Sequence, residues 1–289
     1  MNYISVTNTI NRDPFFVERC IQALLSQKIS PIKVILIDQN ENEVVLSKVI
    51  TDNHIFRRSK VNFKSVSSAR NSVVIPDGAD WIVFCDDDGY ACEDYSEILN
   101  DLIKKNPNTE IFAGSIIRED TNDFYSLRHK KGGSLTKFRN TKNLMGSNFV
   151  IKVTAFNKLK RFDENFGVGS YWGSSEETDF CWKAFFNKIP MEFYPELKVY
   201  HVPPFNESVK VGFKKSFNYG IGKGALVYKW FIKEHKFLVI YELGEMFILP
   251  FLLSLLGILK LKPQLIATNF AAFTGRFYGF VKAFVVNKS

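Results

Sequence analysis

The chain has 289 residues, 46% of them hydrophobic and 28 of them Phe, enough for one large domain or a domain with an appendage. Its cysteines, Cys20, Cys85, Cys92 and Cys181, form no Cys-x-x-Cys pair; they read as small buried hydrophobes in a reducing compartment. The net charge of +8 falls wholly in residues 196–289, and with no zinc-finger spacing or RNA-binding signature a nucleic-acid partner is not expected.

Residues 3–7 read as a first strand. Asp13-Pro14 opens a helix with Phe16, Val17, Cys20, Ile21, Leu24 and Leu25 at helical spacing. Residues 32–38 form a near-continuous apolar strand ending at Asp38, the pattern of a parallel sheet covered on both faces. Together these make a βαβ unit. A helix is expected over 44–51, a short strand over 63–66, a helix from Ser68, a turn at Pro76-Asp77-Gly78 and a strand over 81–85. The alternation is that of a doubly wound α/β domain, whose ligands sit at the carboxyl ends of strands. Further elements are a helix over 94–105, strands over 111–114 and 149–151, a helix over 176–186 and a strand over 193–201. Residues 118–145 are polar and irregular and read as a mobile functional loop.

Two of those strand ends carry carboxylates. Asp38 ends one, and Asp86, Asp87 and Asp88 follow Trp81–Cys85. Adjacent carboxylates at the end of a buried strand need a cation, because repulsion and desolvation both oppose their charge. Oxygen donors suit Mg²⁺ or Mn²⁺, ions that bridge protein carboxylates to phosphates. A solvated Asp-rich turn is the plain alternative. If the strand persists, Asp87 points away from its two neighbours.

With these residues in hand, the chain resembles the family 2 glycosyltransferases, inverting enzymes of the GT-A fold. The resemblance covers roughly residues 3–205. It rests on the strand–helix–strand ending at Asp38, on Ser68-Ala69-Arg70-Asn71, and on Asp86-Asp87-Asp88 as an Asp-x-Asp metal motif. It continues in Arg161-Phe162-Asp163-Glu164-Asn165-Phe166, in Ser175-Glu176-Glu177-Thr178-Asp179-Phe180, and in Tyr194-Pro195 followed by His201. It implies a nucleotide-diphosphate sugar donor, with UDP as the expected nucleotide, and a Mn²⁺ or Mg²⁺ cofactor. Asp88 would be the direct metal ligand, Asp86 would lie nearer the ribose or the metal's waters, and His201 would be a further ligand. Thr7 and Asp38 would hold the base, and Arg70 would add a fixed charge by the diphosphate, compatibly with an ion pair to Asp86. Glu177 would be the general base, with Asp179 as second choice; acids there also suit a helix N-terminus. The chain departs from the family in Thr7-Asn8-Thr9-Ile10-Asn11 and Asp38-Gln39-Asn40-Glu41, so a nucleotide is implied more firmly than uridine. Tyr171 and Trp172 suit either sugar stacking or core packing.

The tail, residues 209–289, differs from the expected GT-A domain, residues 1–208. It joins basic and aromatic residues over 211–236 to an apolar run over 246–259 and a second apolar segment over 265–286. The run of 14 falls short of the about 20 residues a span requires. Both segments therefore read as amphipathic helices in the membrane interface, with packing on the domain or a homodimer as alternatives. Tyr219-Gly220-Ile221-Gly222-Lys223-Gly224 reads as close packing or a flexible turn, since no strand precedes it. The N-terminus shows no signal peptide, so a cytoplasmic enzyme peripheral to the inner face of the membrane is expected. Its acceptor would be a lipid-linked saccharide in cell-surface polysaccharide synthesis. Competing readings are a nucleotidyltransferase, disfavoured because residues 8–14 hold only Arg12 and no glycine, and an inactive scaffold of the same fold.

Overall fold

The computed structural model describes residues 1–203 and 208–286. The chain divides into two compact units: Met1–Phe162 with Phe180–Pro203, and Asp163–Asp179 with Pro204–Ser289. The expected boundary after Ser208 directly follows residues 204–207, which lie outside the described ones, as do 287–289.

The first unit is a mixed α/β sheet of nine strands. β1 (Tyr3–Thr9), α1 (Pro14–Leu25) and β2 (Lys33–Asp38) form the opening βαβ unit. The chain continues through α2 (Lys48–Thr51), β3 (Phe56–Lys60), α3 (Val66–Asn71), β4 (Trp81–Cys85), β5 (Gly89–Ala91) and α4 (Tyr95–Lys105). After these come β6 (Ile111–Arg118), β7 (Gly133–Ser134), β8 (Asn148–Lys152), α5 (Val153–Lys158), α6 (Glu176–Phe186) and β9 (Met191–His201). The order is β3-β2-β1-β4-β8-β6-β9-β5, with β7 on β9. The first four strands are parallel, and β8 pairs antiparallel with both β4 and β6. Helix α6 begins in the second unit and continues in the first.

Two early elements differ from expectation. The strand expected over 63–66 lies instead at β3, whose residues are Phe56-Arg57-Arg58-Ser59-Lys60. It ends the order of strands, so it needs no apolar run and carries the charges that protect an exposed edge. Ser65 caps α3 by accepting the Ser68 N–H at 3.3 Å. The helix expected over 44–51 shrinks to Lys48–Thr51, because Asp38 holds the Val44 N–H at 2.9 Å and keeps the preceding backbone in a loop. The irregular stretch 118–145 is anchored by buried His129, Leu135, Phe138 and Leu144.

A bulge sets the register that matters for the site. Between Gly114 and Ser115 the partner on β9 jumps from Tyr194 to Lys198. Pro195 has no N–H to give the ladder, and the Ser115 hydroxyl donates to its carbonyl at 2.6 Å. Buried Asn148 donates to Ser115 O at 2.8 Å and Leu197 O at 2.9 Å, and accepts from Tyr95 Oη at 2.8 Å. After the bulge, β9 runs beside β5 and aligns His201 with Gly89.

The second unit holds α7 (Val209–Val227), α8 (Ile240–Leu243), α9 (Leu249–Leu259) and α10 (Pro263–Val286). Of the two readings of the Gly-rich stretch, close packing is the one observed: it lies inside α7 and meets α10 backbone to backbone. A Cβ on Gly220 would lie 2.9 Å from Ala272 O, and one on Gly224 would lie 2.7 Å from Phe280 N. Gly275 and Gly279 present the same bare surface from α10, against Phe217 and Ile221. Small residues four apart on both helices allow this approach. The apolar run is longer than expected, for helix continues from Phe237 to Leu259, 23 residues. By length and composition it is enough to cross a membrane. The helix passes through Glu242 because that side chain is buried and ion-paired with Lys223.

Candidate active site

The site is built where β4 ends. Gly89 N–H bonds back to Asp86 O at 3.1 Å, closing a turn that holds the three aspartates. The β5–β9 register then sets His201 Nε2 2.9 Å from Asp88 Oδ1. The other oxygen of Asp88 meets Arg12 Nη2 at 2.9 Å. Asp87 accepts from the Thr9 hydroxyl at 2.7 Å and from Arg12 Nε at 3.0 Å. Asp86 accepts from Arg70 Nη2 at 2.9 Å.

Arg70 is a fixed charge. Its guanidinium lies over the rings of Phe162 and Phe84, 5.5 and 5.9 Å from their centroids. Those rings belong to a buried aromatic cluster with Phe149, Phe156 and Phe180. The next residue, Asn71, exchanges two hydrogen bonds with the Phe162 backbone, at 3.0 and 2.9 Å. Two sequence blocks about ninety residues apart thus lock each other and aim Arg70 at Asp86.

Burial pushes the Asp87 carboxyl up to about 6, against the pull of Arg12 and Thr9. It pushes Asp88 the same way, but the hydrogen bond and charge of His201, with Arg12, outweigh it and hold Asp88 below the usual carboxylate range. Burial disfavours the His201 imidazolium, yet Asp88 raises that ring to about 9.

Asp86, Asp88 and His201 each offer one ligand atom, and these atoms lie within 4.8 Å of one another. Two carboxylate oxygens and one imidazole nitrogen are a donor set that fits a divalent cation.

Of the other expected site residues, Thr7 is buried within β1, its hydroxyl 3.6 Å from Cys20 Sγ. Strand β1 runs two residues further than expected, and Thr9 is the hydroxyl that reaches the aspartates. Asp38 is fully buried: one oxygen accepts from the Asn40 N–H and side-chain amide at 3.0 and 2.8 Å, the other from Val44 N–H. It organises the turn that follows β2. Thr9 and Arg12 were not anticipated as site residues. Their signals were slight: Ser5, Thr7 and Thr9 are the alternate polar positions of one strand, and Arg12 is the lone cation of its loop.

Glu177 and Asp179 belong to the second unit, in the first turn of α6 with Glu176. Asp179 is fully buried, and its Oδ1 accepts from Lys229 Nζ and Trp230 Nε1, both at 2.7 Å. Lys229 also meets Asp163 Oδ2 at 2.8 Å. Burial opposes its charge, but Asp179 and Asp163 together raise it above the usual lysine value. Glu177 is half-buried. Beside this network is a cavity of about 420 Å³ lined by Asp163, Asn165, Tyr171, Trp172, Lys229 and Glu234 among others. Trp172 is buried, whereas Tyr171 is exposed.

A doubly wound mixed sheet with a carboxylate cluster after its fourth strand defines the GT-A class of nucleotide-sugar transferase folds. The sequence profile of glycosyl transferase family 2 matches residues 6–161, more than half of the chain. The chain belongs to that family. Among solved structures it is similar to TarS of S. aureus. With TarS 1–349 in complex with UDP-GlcNAc the TM-score is 0.56 at 12% identity, over 77% of this chain and 66% of that one. With TarS 1–349 alone it is 0.54 at 11% identity, over 77% and 65%, and with TarS it is 0.60 at 12% identity, over 84% and 42%. The chain thus spans less than two thirds of these TarS chains, and the likeness is one of fold. No curated protein matches the chain in sequence.

Proposed function

We propose that the chain is an inverting, metal-dependent glycosyltransferase. It moves a sugar from a nucleotide-diphosphate sugar to a saccharide acceptor. The observation that carries this reading is the convergence of Asp86, Asp88 and His201 on one point, beside an Arg70 that stacked rings hold in place. A UDP-sugar is the donor we favour, since the similar TarS structure holds UDP-GlcNAc.

Asp86, Asp88 and His201 would hold Mn²⁺ or Mg²⁺, which when bound neutralises charge on the diphosphate leaving group as a Lewis acid. Arg70 supplies a further positive charge that needs no reorganisation. On the nucleotide side Asp38 would act by shaping the turn after β2, and Thr7, buried against Cys20, would act through the packing of β1 and not by touching the base. The acceptor hydroxyl attacks the anomeric carbon opposite the departing diphosphate. As the new carbon–oxygen bond forms and the old one breaks, the hydroxyl proton passes to Glu177, and the configuration inverts. Asp179 is the weaker candidate for base, because Lys229 and Trp230 hold its Oδ1 in a buried position.

Residues 1–208 form the catalytic domain on this reading, and residues 209–289 attach it to the inner face of the membrane, where the acceptor is lipid-linked. The burial pattern of α9 supports this. Small Pro250, Ser254 and Gly257 are buried, while Phe251, Leu252, Ile258 and Leu259 are exposed. Large apolar side chains turned outward in this way mark contact with lipid or a partner rather than water.

The test is a thermal-shift series of nucleoside diphosphates with and without Mn²⁺, since a bound ligand stabilises the native state by mass action. UDP with Mn²⁺ should give the largest shift. Asp88→Ala should abolish both the shift and transfer, whereas Glu177→Gln should abolish transfer and keep the shift. Full transfer by both variants would overturn the assignment, and intact donor binding without turnover in the parent would favour a scaffold.

A further inference from the structure

Beside the 168–173 segment, α7 and α10 enclose a second cavity of the same unit, about 530 Å³ in volume. Three lysines, Lys214, Lys215 and Lys282, line it, and among the described residues no carboxylate does. Lys282 Nζ lies 4.3 Å from the centre of the Tyr171 ring and 5.4 Å from that of Trp172, so this cation rests on an aromatic wall. Val168, Val211 and Ile221 add apolar wall. On the same helix, Val209, Val211 and Phe213 are exposed.

Lys214 and Lys282, with no carboxylate among the described lining residues, attract an anion. Lysines act as point charges and suit a phosphate. The aromatic and aliphatic walls suit a ligand whose anion carries an apolar body, as do the outward-facing leucines and Phe251 of α9 in the same unit. We propose that this cleft binds the phosphate headgroup of a membrane lipid. The inference rests on the membrane-facing reading of the tail and adds a specific anion site to it. The cleft shares no residue with the group Asp86, Asp88 and His201.

The experiment uses the intact chain and vesicles of phosphatidylcholine, alone or doped with phosphatidic acid, in a flotation titration. Doped vesicles should bind the parent chain roughly tenfold more tightly, as expected when a few lysines engage anionic lipid. Replacing Lys214 and Lys282 together by Gln should remove that gain. Replacing Lys260 and Lys262 by Gln removes the same charge elsewhere in the unit and should preserve it. Equal losses in the two double variants would mean smeared attraction, and would overturn the site, as would no loss in either. Inorganic phosphate that binds the parent in free solution as tightly as the doped vesicles would overturn the assignment to lipid. Nucleotide-induced thermal stabilisation should stay at the parent level in both double variants, which separates failure of this site from failure of the transferase reading.

Discussion

Arg12 Nη2 lies 2.9 Å from the oxygen of Asp88 that His201 does not touch. The same guanidinium reaches Asp87 through Nε at 3.0 Å. One side chain from the β1–α1 loop therefore neutralises two of the three aspartates, including one of the candidate metal ligands. A cation arriving at Asp88 must compete with it.

Arg12→Gln should accordingly strengthen Mn²⁺ binding in the absence of nucleotide. Arg12 is partly exposed, so the ion pair is worth no more than about 1 kcal/mol, or roughly fivefold in affinity. Titration of Mn²⁺ followed by electron paramagnetic resonance reads this without any turnover. Unchanged or weaker binding would show that Arg12 does not occupy the cation's place.

Lys229 is the counter-charge of a buried carboxylate. Lys229→Met would strand Asp179 without its cation and should destabilise the chain by about 3 kcal/mol. Adding Asp179→Asn removes the stranded charge and should recover at least half of the loss. Urea denaturation of the parent, the single variant and the double variant measures the coupling; additive losses would refute it.

Two helical glycines of the second unit, Gly224 in the α7–α10 contact and Gly244 outside it, answer opposite demands. Gly224 faces the α10 backbone directly, so Gly224→Val must push the helices apart and should cost about 3 kcal/mol. At Gly244 nothing lies within 4 Å of a would-be Cβ, and Gly244→Ala should gain up to about 1 kcal/mol from helix propensity. Thermal denaturation in mild detergent compares the two.

His129 carries a pH dependence remote from the aspartates. Its ring is fully buried, with Nδ1 accepting the Ile116 N–H at 3.4 Å and Phe193 packed against it. Burial, and then the charge of Arg128, lower it to about 4 from its ordinary 6.5. The folded state therefore refuses a proton that the unfolded chain accepts. Its contribution is complete above pH 6.5 and is lost as pH falls from 6.5 towards 4, by roughly 3 kcal/mol. His129→Phe should flatten the stability profile across that window. Asp87, raised to about 6, acts in the opposite sense, but equally in both proteins, so the difference between the profiles isolates His129. Parallel profiles would refute the prediction.

Local pattern was enough for the βαβ opening, for β4 and for α6, because each is a run of apolar or helix-spaced residues that would form the same element in many surroundings. It was also enough for the acidic cluster, since carboxylates at the end of a buried strand are informative wherever the strand lies. The edge strand β3 escaped it: Arg57, Arg58 and Lys60 answer to solvent on an open edge, not to a core. The length of the 237–259 helix escaped it too, because Glu242 reads as a terminator until Lys223 is seen beside it.

The residue chemistry of this chain is written along the backbone; its meeting points are not. His201 reaches Asp88 only because Pro195 forces a bulge in β9 and Asn148 holds it, which is a matter of register between strands distant in sequence. Thr9 and Arg12 likewise act on Asp87 across more than seventy residues. Such partnerships depend on how strands align and where a buried charge finds its counter-ion, and no periodicity in one segment encodes the position of another.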